Sequence, residues 1–312
     1  MAPAPARAAA RKGAASRSPF GRRAPAERYR AAGTTPGLQS LGHVEGQNVA
    51  FEGRYAEGKT ERLPAFAAEL VQRNVDVIVA NGGPAGMAAK RATTSIPIVL
   101  ANGAGDAVAT GMIASLSRPG GNVTGMSEEA VQLSAKRLEI IKEAFPKATK
   151  IAVLWNADDV GMTLRYREID KAARALRVQV LPLEVRAPND FESAFATMSR
   201  ERPHAVFLVA DSLTILNRRQ LIDYAATHRI PAMYEYSVVV RDGGLMSYGS
   251  TQEDGFSIAA SYVDRILKGA KPAELPVQQP TRYYLTVNLK TAAALGVMIP
   301  ASILVRADEL IQ

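Results

Sequence analysis

Apolar runs alternate with amphipathic stretches along most of the chain, and the clearest alternation lies between residues 75 and 126. Two runs rich in β-branched residues, Val75–Ala80 and Ile96–Leu100, each end in a glycine-rich turn that opens a helical pattern. These turns are Asn81–Pro84 and Asn102–Asp106. A strand, a glycine turn and a helix in succession are typical of a parallel sheet covered by helices. We therefore predict an α/β fold.

The same reasoning predicts elements along the rest of the chain. Short β-branched runs predict strands, and apolar positions three or four residues apart predict helices. The predicted strands are Val49–Tyr55, Ile151–Trp155, Val178–Val185, Ala205–Ala210 and Ala232–Tyr236, with an extended segment at Gly244–Gly249. The predicted helices are Leu63–Val71, Leu133–Phe145, Met162–Leu176, Phe191–Met198, Leu213–His228 and Phe256–Ile266.

This order of elements predicts two Rossmann-like lobes with parallel sheets and a cleft between them. A chain of 312 residues has room for two such domains. We assign residues 38–124 with about 250–278 to the first lobe, and residues 125–249 with about 279–312 to the second.

Basic charge is concentrated at the start of the chain. Residues 1–38 carry eight basic and one acidic side chain, whereas the remaining residues carry 30 basic and 29 acidic ones. The folded part is therefore nearly neutral, and we expect no nucleic acid as a partner. Residues 1–37 are rich in Ala, Arg, Pro, Gly and Ser, so we predict a disordered basic tail.

The composition also limits the chemistry that the chain can support. There is no cysteine, and the three histidines lie far apart, so we expect neither a metal site nor a cofactor. The serine-hydrolase pattern Gly-x-Ser-x-Gly is absent, and no catalytic triad is indicated. No apolar run approaches the roughly 18 residues of a membrane span.

One motif points to a different class of protein. Gly53–Thr60 satisfies the P-loop pattern G-x-x-x-x-G-K-[ST], and Val206–Asp211 could supply an aspartate for magnesium. The loop contains bulky Arg54 and Tyr55, and Glu57 would place negative charge beside the phosphates. We therefore keep a nucleotide hydrolase, or another cleft enzyme, only as the alternative to a binding protein.

Polar residues at the predicted carboxyl ends of strands are the candidates for ligand binding, because small ligands bind there in open parallel sheets. An ammonium group would pair with Asp106 or Asp211, and a carboxylate would bind at the helix start 83–85. We expect the turns 81–86 and 102–106 to face residues of the second lobe across the cleft. The predicted ligand-binding residues are Asn81, Gly83, Pro84, Ala85, Asn102, Asp106, Asn156, Asp211, Tyr234 and Glu235.

Several stretches carry a resemblance to a known family. They are LGHVEGQN (41–48), RLPA (62–65), VDVIVA (75–80), IPIV (96–99), SLSRPGGNVTG (115–125), GGLMSYG (243–249) and DRILKGAKP (264–272). Over residues 38–312 the chain resembles the ABC-transporter substrate-binding proteins of the type I periplasmic binding protein fold, in particular the tryptophan- and tyrosine-binding members.

The resemblance implies a function and a location. It implies a protein, periplasmic or anchored on the outer face of the membrane, that closes on an amino acid or similar solute and delivers it to a membrane permease. It implies no catalysis, and we expect a monomer. A ligand-sensing regulator of the same fold would need a helix-turn-helix before the first lobe, which the Ala/Pro-rich tail does not offer.

The start of the chain departs from that family. Family members begin with a signal sequence, an apolar first strand and its helix, whereas here only the end of that helix, residues 37–42, is recognisable. We therefore expect the first strand to be missing and no signal peptide to be visible. A missing central strand would leave a gap between the strands at 49–55 and 75–80, so we predict a loosened first lobe.

Overall fold

The computed structural model describes residues 34–102, 105–128 and 130–312. These residues form two compact units, and neither unit is continuous in sequence. The first contains the residues up to Glu128 and Gln252–Gln279, and the second contains Glu129–Thr251 and Pro280–Gln312. The α/β class with parallel sheets is confirmed in both units.

The elements are numbered in chain order. Those before residue 129 are α1 (Thr34–Ser40), a 3₁₀ turn (Thr60–Arg62), α2 (Leu63–Gln72), β1 (Ile78–Ala80), α3 (Gly83–Ala92), β2 (Ile98–Leu100) and β3 (Val123–Gly125). The next are α4 (Ala130–Ala144), β4 (Lys150–Asn156), α5 (Val160–Ala175), β5 (Gln179–Val185), α6 (Asp190–Glu201), β6 (Ala205–Leu208), α7 (Ser212–Leu216), α8 (Arg218–His228), β7 (Ala232–Tyr234), α9 (Ser237–Arg241) and β8 (Met246–Gly249). The last are α10 (Gln252–Leu267), a 3₁₀ turn (Pro272–Glu274), β9 (Tyr284–Asn288), α11 (Leu289–Leu295), α12 (Ala301–Leu304) and β10 (Glu309–Ile311).

The first unit contains a parallel sheet in the order β1-β2-β3 with apolar side chains on both faces. Because side chains alternate along a strand, Ile98 and Leu100 of β2 point to one face and Val99 points to the other. The first face packs against α2 and α3, and the second packs against α1 and α10. Helix α10 therefore completes this unit although it lies more than a hundred residues further along the chain.

The end of β3 comes unusually close to β2. Gly125 has a φ of 115° and pairs with Leu100 across the two strands. A Cβ atom at this position would overlap the carbonyl oxygen of Leu100 and lie 2.6 Å from its amide nitrogen. Only glycine fits this backbone conformation and this separation without displacement.

The second unit contains a seven-stranded sheet in the order β10-β9-β8-β7-β6-β4-β5. Neighbouring strands are parallel except for β8 and β9, which are antiparallel. The five strands β4 to β8 have the order 2-1-3-4-5 of doubly wound folds, counted in their sequence order. In that arrangement the order of the strands reverses at β4, because β5 lies on one side of β4 and β6 on the other, and the loops that leave β4 and β6 flank the usual ligand position.

The predicted strand Val49–Tyr55 is wrong. Residue 49 makes only an isolated bridge with Glu45, and residues 50–55 have no helix or strand assignment. Charged side chains explain why this segment is not a strand. The Arg54 guanidinium donates two hydrogen bonds of 2.8 Å to Glu69, which fixes the segment against helix α2. Because residues 50–55 form no strand, the gap that we expected between a strand at 49–55 and the strand at 75–80 does not arise in that form, and the loosened first lobe stays a prediction.

Two other predictions need adjustment. The single helix Leu213–His228 is divided into α7 and α8 at Asn217, whose side-chain Nδ2 donates to the Leu213 carbonyl at 2.9 Å. Residues 34–37, which we expected in the disordered tail, belong to helix α1. Residues 1–33 of that tail, and with them any signal sequence or first strand, lie outside the described residues.

Candidate functional site

Three polar side chains of the second unit follow the carboxyl ends of β4 and β6. Asn156 is the last residue of β4, Asp159 ends the loop that leads into α5, and Asp211 lies between β6 and α7. All three are at least nine-tenths buried. Nδ2 of Asn156 donates to Oδ2 of Asp211 at 2.6 Å, which joins the two loops at the point where the strand order reverses.

Asp211 is held in place by the start of α7. Its Oδ1 accepts the backbone N–H of Thr214 at 2.8 Å, and the Thr214 hydroxyl accepts the backbone N–H of Asp211 at 2.9 Å. This reciprocal capping box fixes the carboxylate against the helix. Together with the Asn156 contact, both carboxylate oxygens of Asp211 are engaged.

Asp159 begins α5 in a similar way but is only half engaged. Its Oδ1 accepts the backbone N–H groups of Gly161 at 2.8 Å and Met162 at 3.4 Å. Its Oδ2 is buried and has no hydrogen-bond partner within the described part of the chain. Burial, and after it the negative charge of Asp211, raise the pKa of Asp159 to about 6. The helix N–H groups and Arg165 act in the opposite direction but do not outweigh them.

We expect Asp159→Asn to stabilise the ligand-free protein at neutral pH. The pKa of this carboxyl is 3.8 ordinarily and about 6 in the fold, so its cost to stability is absent well below pH 3.8, grows as the pH rises from about 4 to 6, and is constant above that. Asparagine keeps the Oδ1 cap and removes this charge, so the free energy of unfolding should rise by about 2 kcal/mol at pH ~7.5. Urea denaturation should show almost none of this gain at pH ~3, where Asp159 is mostly protonated in both the folded and the unfolded chain.

Glu235 lies just beyond β7 and joins two buried arginines. Its Oε2 accepts from Nη1 of Arg165 on α5 at 2.7 Å, and its Oε1 lies 3.3 Å from Nη1 of Arg137 on α4. Nε of Arg137 also donates to the carbonyl of Tyr248 at the end of β8 at 2.6 Å. All three charged side chains are no more than 3% exposed. Glu235 therefore ties two helices to the strand ends.

Tyr234 has a different environment from the other candidates in this unit. Its ring packs against Gly244 and lines a small apolar cavity under α8 and α11, beside Ile222 and Leu295. Burial raises the pKa of its hydroxyl above the ordinary value. The side chain is 1% exposed, so it fills the interior of the second unit instead of forming an open rim.

In the first unit, the turn after β1 leads directly into α3. Helix α3 begins at Gly83 with Pro84 in its first turn, and no side chain caps its N-terminus within the described residues. The N–H of Gly82 donates to the carbonyl of Asn102, which holds the turns after β1 and β2 together. Asn81 is exposed, Gly83 is buried, and Pro84 and Ala85 are half-buried. This turn can offer backbone N–H groups to an anion.

The two polar residues after β2 contact other parts of the first unit. Nδ2 of Asn102 donates to the carbonyl of Gln252 at 3.1 Å, and its amide oxygen, which has no hydrogen-bond partner among the described residues, packs against Gly255, where a Cβ atom would overlap it. Asp106 accepts the N–H groups of Val108 and Ala109 at 3.0 and 2.9 Å and so caps a turn. Residues 103 and 104 between them lie outside the described residues.

The P-loop match does not have the structure that the motif requires. No strand precedes it over residues 50–56, and Lys59 precedes a separate 3₁₀ turn instead of lying in the first turn of α2. The Tyr55 ring packs over Gly53, where the phosphates would enter. The segment 53–60 belongs to the first unit and the proposed magnesium aspartate, Asp211, to the second. The segment is a surface turn fixed by the Arg54–Glu69 ion pair.

Two further properties of the described residues bear on function. Within ranges 34–102, 105–128 and 130–312, no group of three or more His, Cys, Asp and Glu side chains is arranged to hold a metal ion. In the same ranges, every helix is too short or too polar to cross a membrane.

Comparison with known proteins agrees with the fold. The family of ABC transporter substrate binding proteins matches residues 23–311. A tyrosine-binding protein of Clostridioides difficile (strain R20291) is 26% identical over 259 residues, which cover 83% of this chain and 74% of that protein.

Two solved structures are similar over nearly the whole chain. An ABC domain from Streptococcus pneumoniae, in complex with L-Trp, has a TM-score of 0.83 and 25% identity, covering 92% of this chain and 96% of that one. A conserved domain protein from Vibrio cholerae O1 biovar El Tor has a TM-score of 0.85 and 27% identity, covering 91% and 94%. The chain described here belongs to the family of ABC transporter substrate-binding proteins and has the type I periplasmic binding protein fold.

Proposed function

We propose that this protein captures an amino acid, with tryptophan or tyrosine as the first candidates, and delivers it unchanged to the membrane permease of an ABC importer. It acts as a monomer on the outer side of the cytoplasmic membrane. The choice of solute is supported by the tyrosine-binding relative and by the L-Trp bound in the similar structure.

The observation that carries the proposal is the charge balance at the strand ends of the second unit. Among the described residues at these strand ends, three carboxylates, of Asp159, Asp211 and Glu235, are buried together with two guanidinium groups, of Arg137 and Arg165. Buried charge of one sign is costly unless it is paired. The ammonium group of an amino acid would supply the missing positive charge, and parallel sheets bind ligands at the strand ends where the strand order reverses.

The first unit offers chemistry for the other end of an amino acid. The uncapped start of α3 presents backbone N–H groups, which suit a carboxylate. Among the candidates predicted from sequence, Asn81, Gly83, Pro84 and Ala85 remain proposed contacts for that group. For Asn102 and Tyr234 a structural role is better supported than a ligand contact, because both side chains are buried within their own units.

The proposal predicts that Asp211→Asn weakens amino-acid binding. The substitution keeps an oxygen for the helix cap and removes the charge, so we expect a loss of roughly 1.5–3 kcal/mol, about ten- to a hundredfold in Kd. Isothermal titration of the purified chain with L-Trp and L-Tyr measures it. Asp170→Asn, the same change on the exposed face of α5, is the matched control.

Two further variants test the competing interpretations. Lys59→Ala should leave amino-acid binding intact, since Lys59 lies in the surface turn. Nucleotide hydrolysis that disappears in Lys59→Ala would favour the P-loop alternative and contradict a pure binding function. Asp106→Asn should have a smaller effect than Asp211→Asn, because Asp106 is half-buried and caps its own turn.

A further inference from the structure

Among the carboxylates of the two candidate regions, one oxygen stands out because it is buried with neither a hydrogen bond nor an ion pair among the described residues. Both oxygens of Asp211 accept hydrogen bonds, and both oxygens of Glu235 face arginines. Asp106 is partly open to water. Asp159 is 4% exposed, and its Oδ2 finds no hydrogen-bond donor among the described residues. Oε1 of Glu235 also lacks a hydrogen bond, but it lies 3.3 Å from the Arg137 guanidinium, whereas Oδ2 of Asp159 has no such ion pair within the described residues.

The surroundings of Asp159 make this arrangement unfavourable without a ligand. A buried acceptor that lacks a hydrogen bond is destabilising, and more so when it is charged. The charge of Asp211 at the start of α7 adds repulsion. Arg165 on α5 is the positive group that acts on Asp159, and it is already bonded to Glu235. Asn156 on β4 directs its amide to Asp211. A cationic donor placed at Oδ2 would remove both penalties.

We propose that Oδ2 of Asp159 is the direct acceptor for the primary ammonium group of the solute, so that the protein selects amines over otherwise identical molecules that lack the amine. This inference rests on the proposed function and deepens it. Asp211 then acts as the second negative charge of the site, and its hydrogen bonds keep it from contacting the ligand as closely. The helix cap through Oδ1 holds the Asp159 side chain in position before the ligand arrives.

The assignment implies a dependence of binding on pH. The ammonium group pairs with ionised Asp159, so a proton on this carboxyl competes with the ligand. Because the pKa of free Asp159 is about 6, affinity should be constant above that pH and fall up to about tenfold for each unit below it. The amine itself stays protonated throughout this range, so its own titration does not interfere.

The experiment compares L-tryptophan with indole-3-propionic acid, which lacks only the amine, by isothermal titration at pH ~7.5. The intact chain should bind L-tryptophan at least about tenfold more tightly than the deaminated analogue. Asp159→Asn should weaken L-tryptophan binding by about ten- to a hundredfold and reduce this preference. Asp158→Asn is the matched control. Asp158 is the neighbour of Asp159 in sequence, but its side chain is about half exposed and pairs with Arg186 on the surface.

A purely structural role for Asp159 predicts the opposite pattern. The variant would then lose thermal stability and retain its preference for the amine, which would overturn the assignment. The pH series on the unmodified chain, from about pH 5 to 8, decides the question without any variant, and a flat L-tryptophan affinity would also overturn it. Stabilisation by sodium or potassium chloride alone would identify an inorganic cation at Oδ2 instead of an amine.

The outcomes separate this inference from the function on which it rests. If the intact chain binds L-tryptophan or L-tyrosine and Asp159→Asn binds it equally well, only the assignment of Asp159 is wrong. If the intact chain binds no amino acid in a screen of all twenty, the proposed function and the assignment are both wrong.

Discussion

Replacing Glu235 by alanine should destabilise the second unit by roughly 3–5 kcal/mol. The substitution would leave Arg137 and Arg165, which are no more than 3% exposed, without the carboxylate that each of them contacts. Removing one partner of a buried ion pair is costly because an uncompensated charge stays in a medium of low polarity. The loss would be a large fraction of a typical folding free energy of about 5–15 kcal/mol.

A surface pair in the same unit provides the control for this prediction. Glu309 contacts Arg241 at 2.8 Å, and both side chains are more than a third exposed. Glu309→Ala should therefore cost about 1 kcal/mol or less. Urea denaturation gives the two free energies, and hydrogen exchange shows whether the loss is confined to the second unit. Equal effects of the two substitutions would mean that the buried network contributes no more than a surface contact.

Gly125→Ala should destabilise the first unit by about 3 kcal/mol or more. The new methyl group would overlap the Leu100 carbonyl, and the backbone would remain at a φ of 115° that alanine rarely adopts. Relief of the overlap requires β3 to move away from β2, which breaks the pairing of Leu100 with Gly125. Hydrogen exchange should show the change in β2 and β3 first.

The nearby Gly121 gives the matched control. A Cβ atom at Gly121 would meet nothing within 4 Å, and this residue does not have a positive φ. Gly121→Ala should therefore change the free energy of unfolding by no more than about 0.5 kcal/mol in either direction. A similar loss for both substitutions would show that the close approach at Gly125 relaxes easily.

The elements of this fold were predictable where burial and local pattern agree. β4 and β6 are continuous apolar runs because both faces of their sheet are covered, and this is the pattern that the sequence shows. Residues 49–55 contain a β-branched residue and aromatic residues as well, but their ion pairs join residues 15 and 21 positions apart, to Glu69 of α2 and to Arg73 just after it. Local periodicity cannot reveal such pairing, so the strand prediction failed there.

The candidate site was only partly predictable for a related reason. Asn156 and Asp211 were found because they directly follow strands. Asp159 was missed because the sequence alone does not distinguish it from the adjacent Asp158. Only the fold shows that Asp159 is buried and Asp158 is exposed. Tyr234 was included because a hydroxyl near a strand end suggests a polar contact, whereas its ring fills the interior. The Arg137–Glu235–Arg165 network joins α4, α5 and β7 and has no signature at any fixed spacing.

The discontinuity of the first unit has a consequence for the order in which the protein is made. Helix α10 covers one face of the first sheet, yet the ribosome reaches Gln252 only after it has added Glu129–Thr251. At roughly 5–20 residues per second, the nascent β2 and β3 wait on the order of ten seconds for this helix. During that interval Val99 and Ala101 have no α10 to pack against, so the nascent chain is a natural client for chaperones that shield apolar surface.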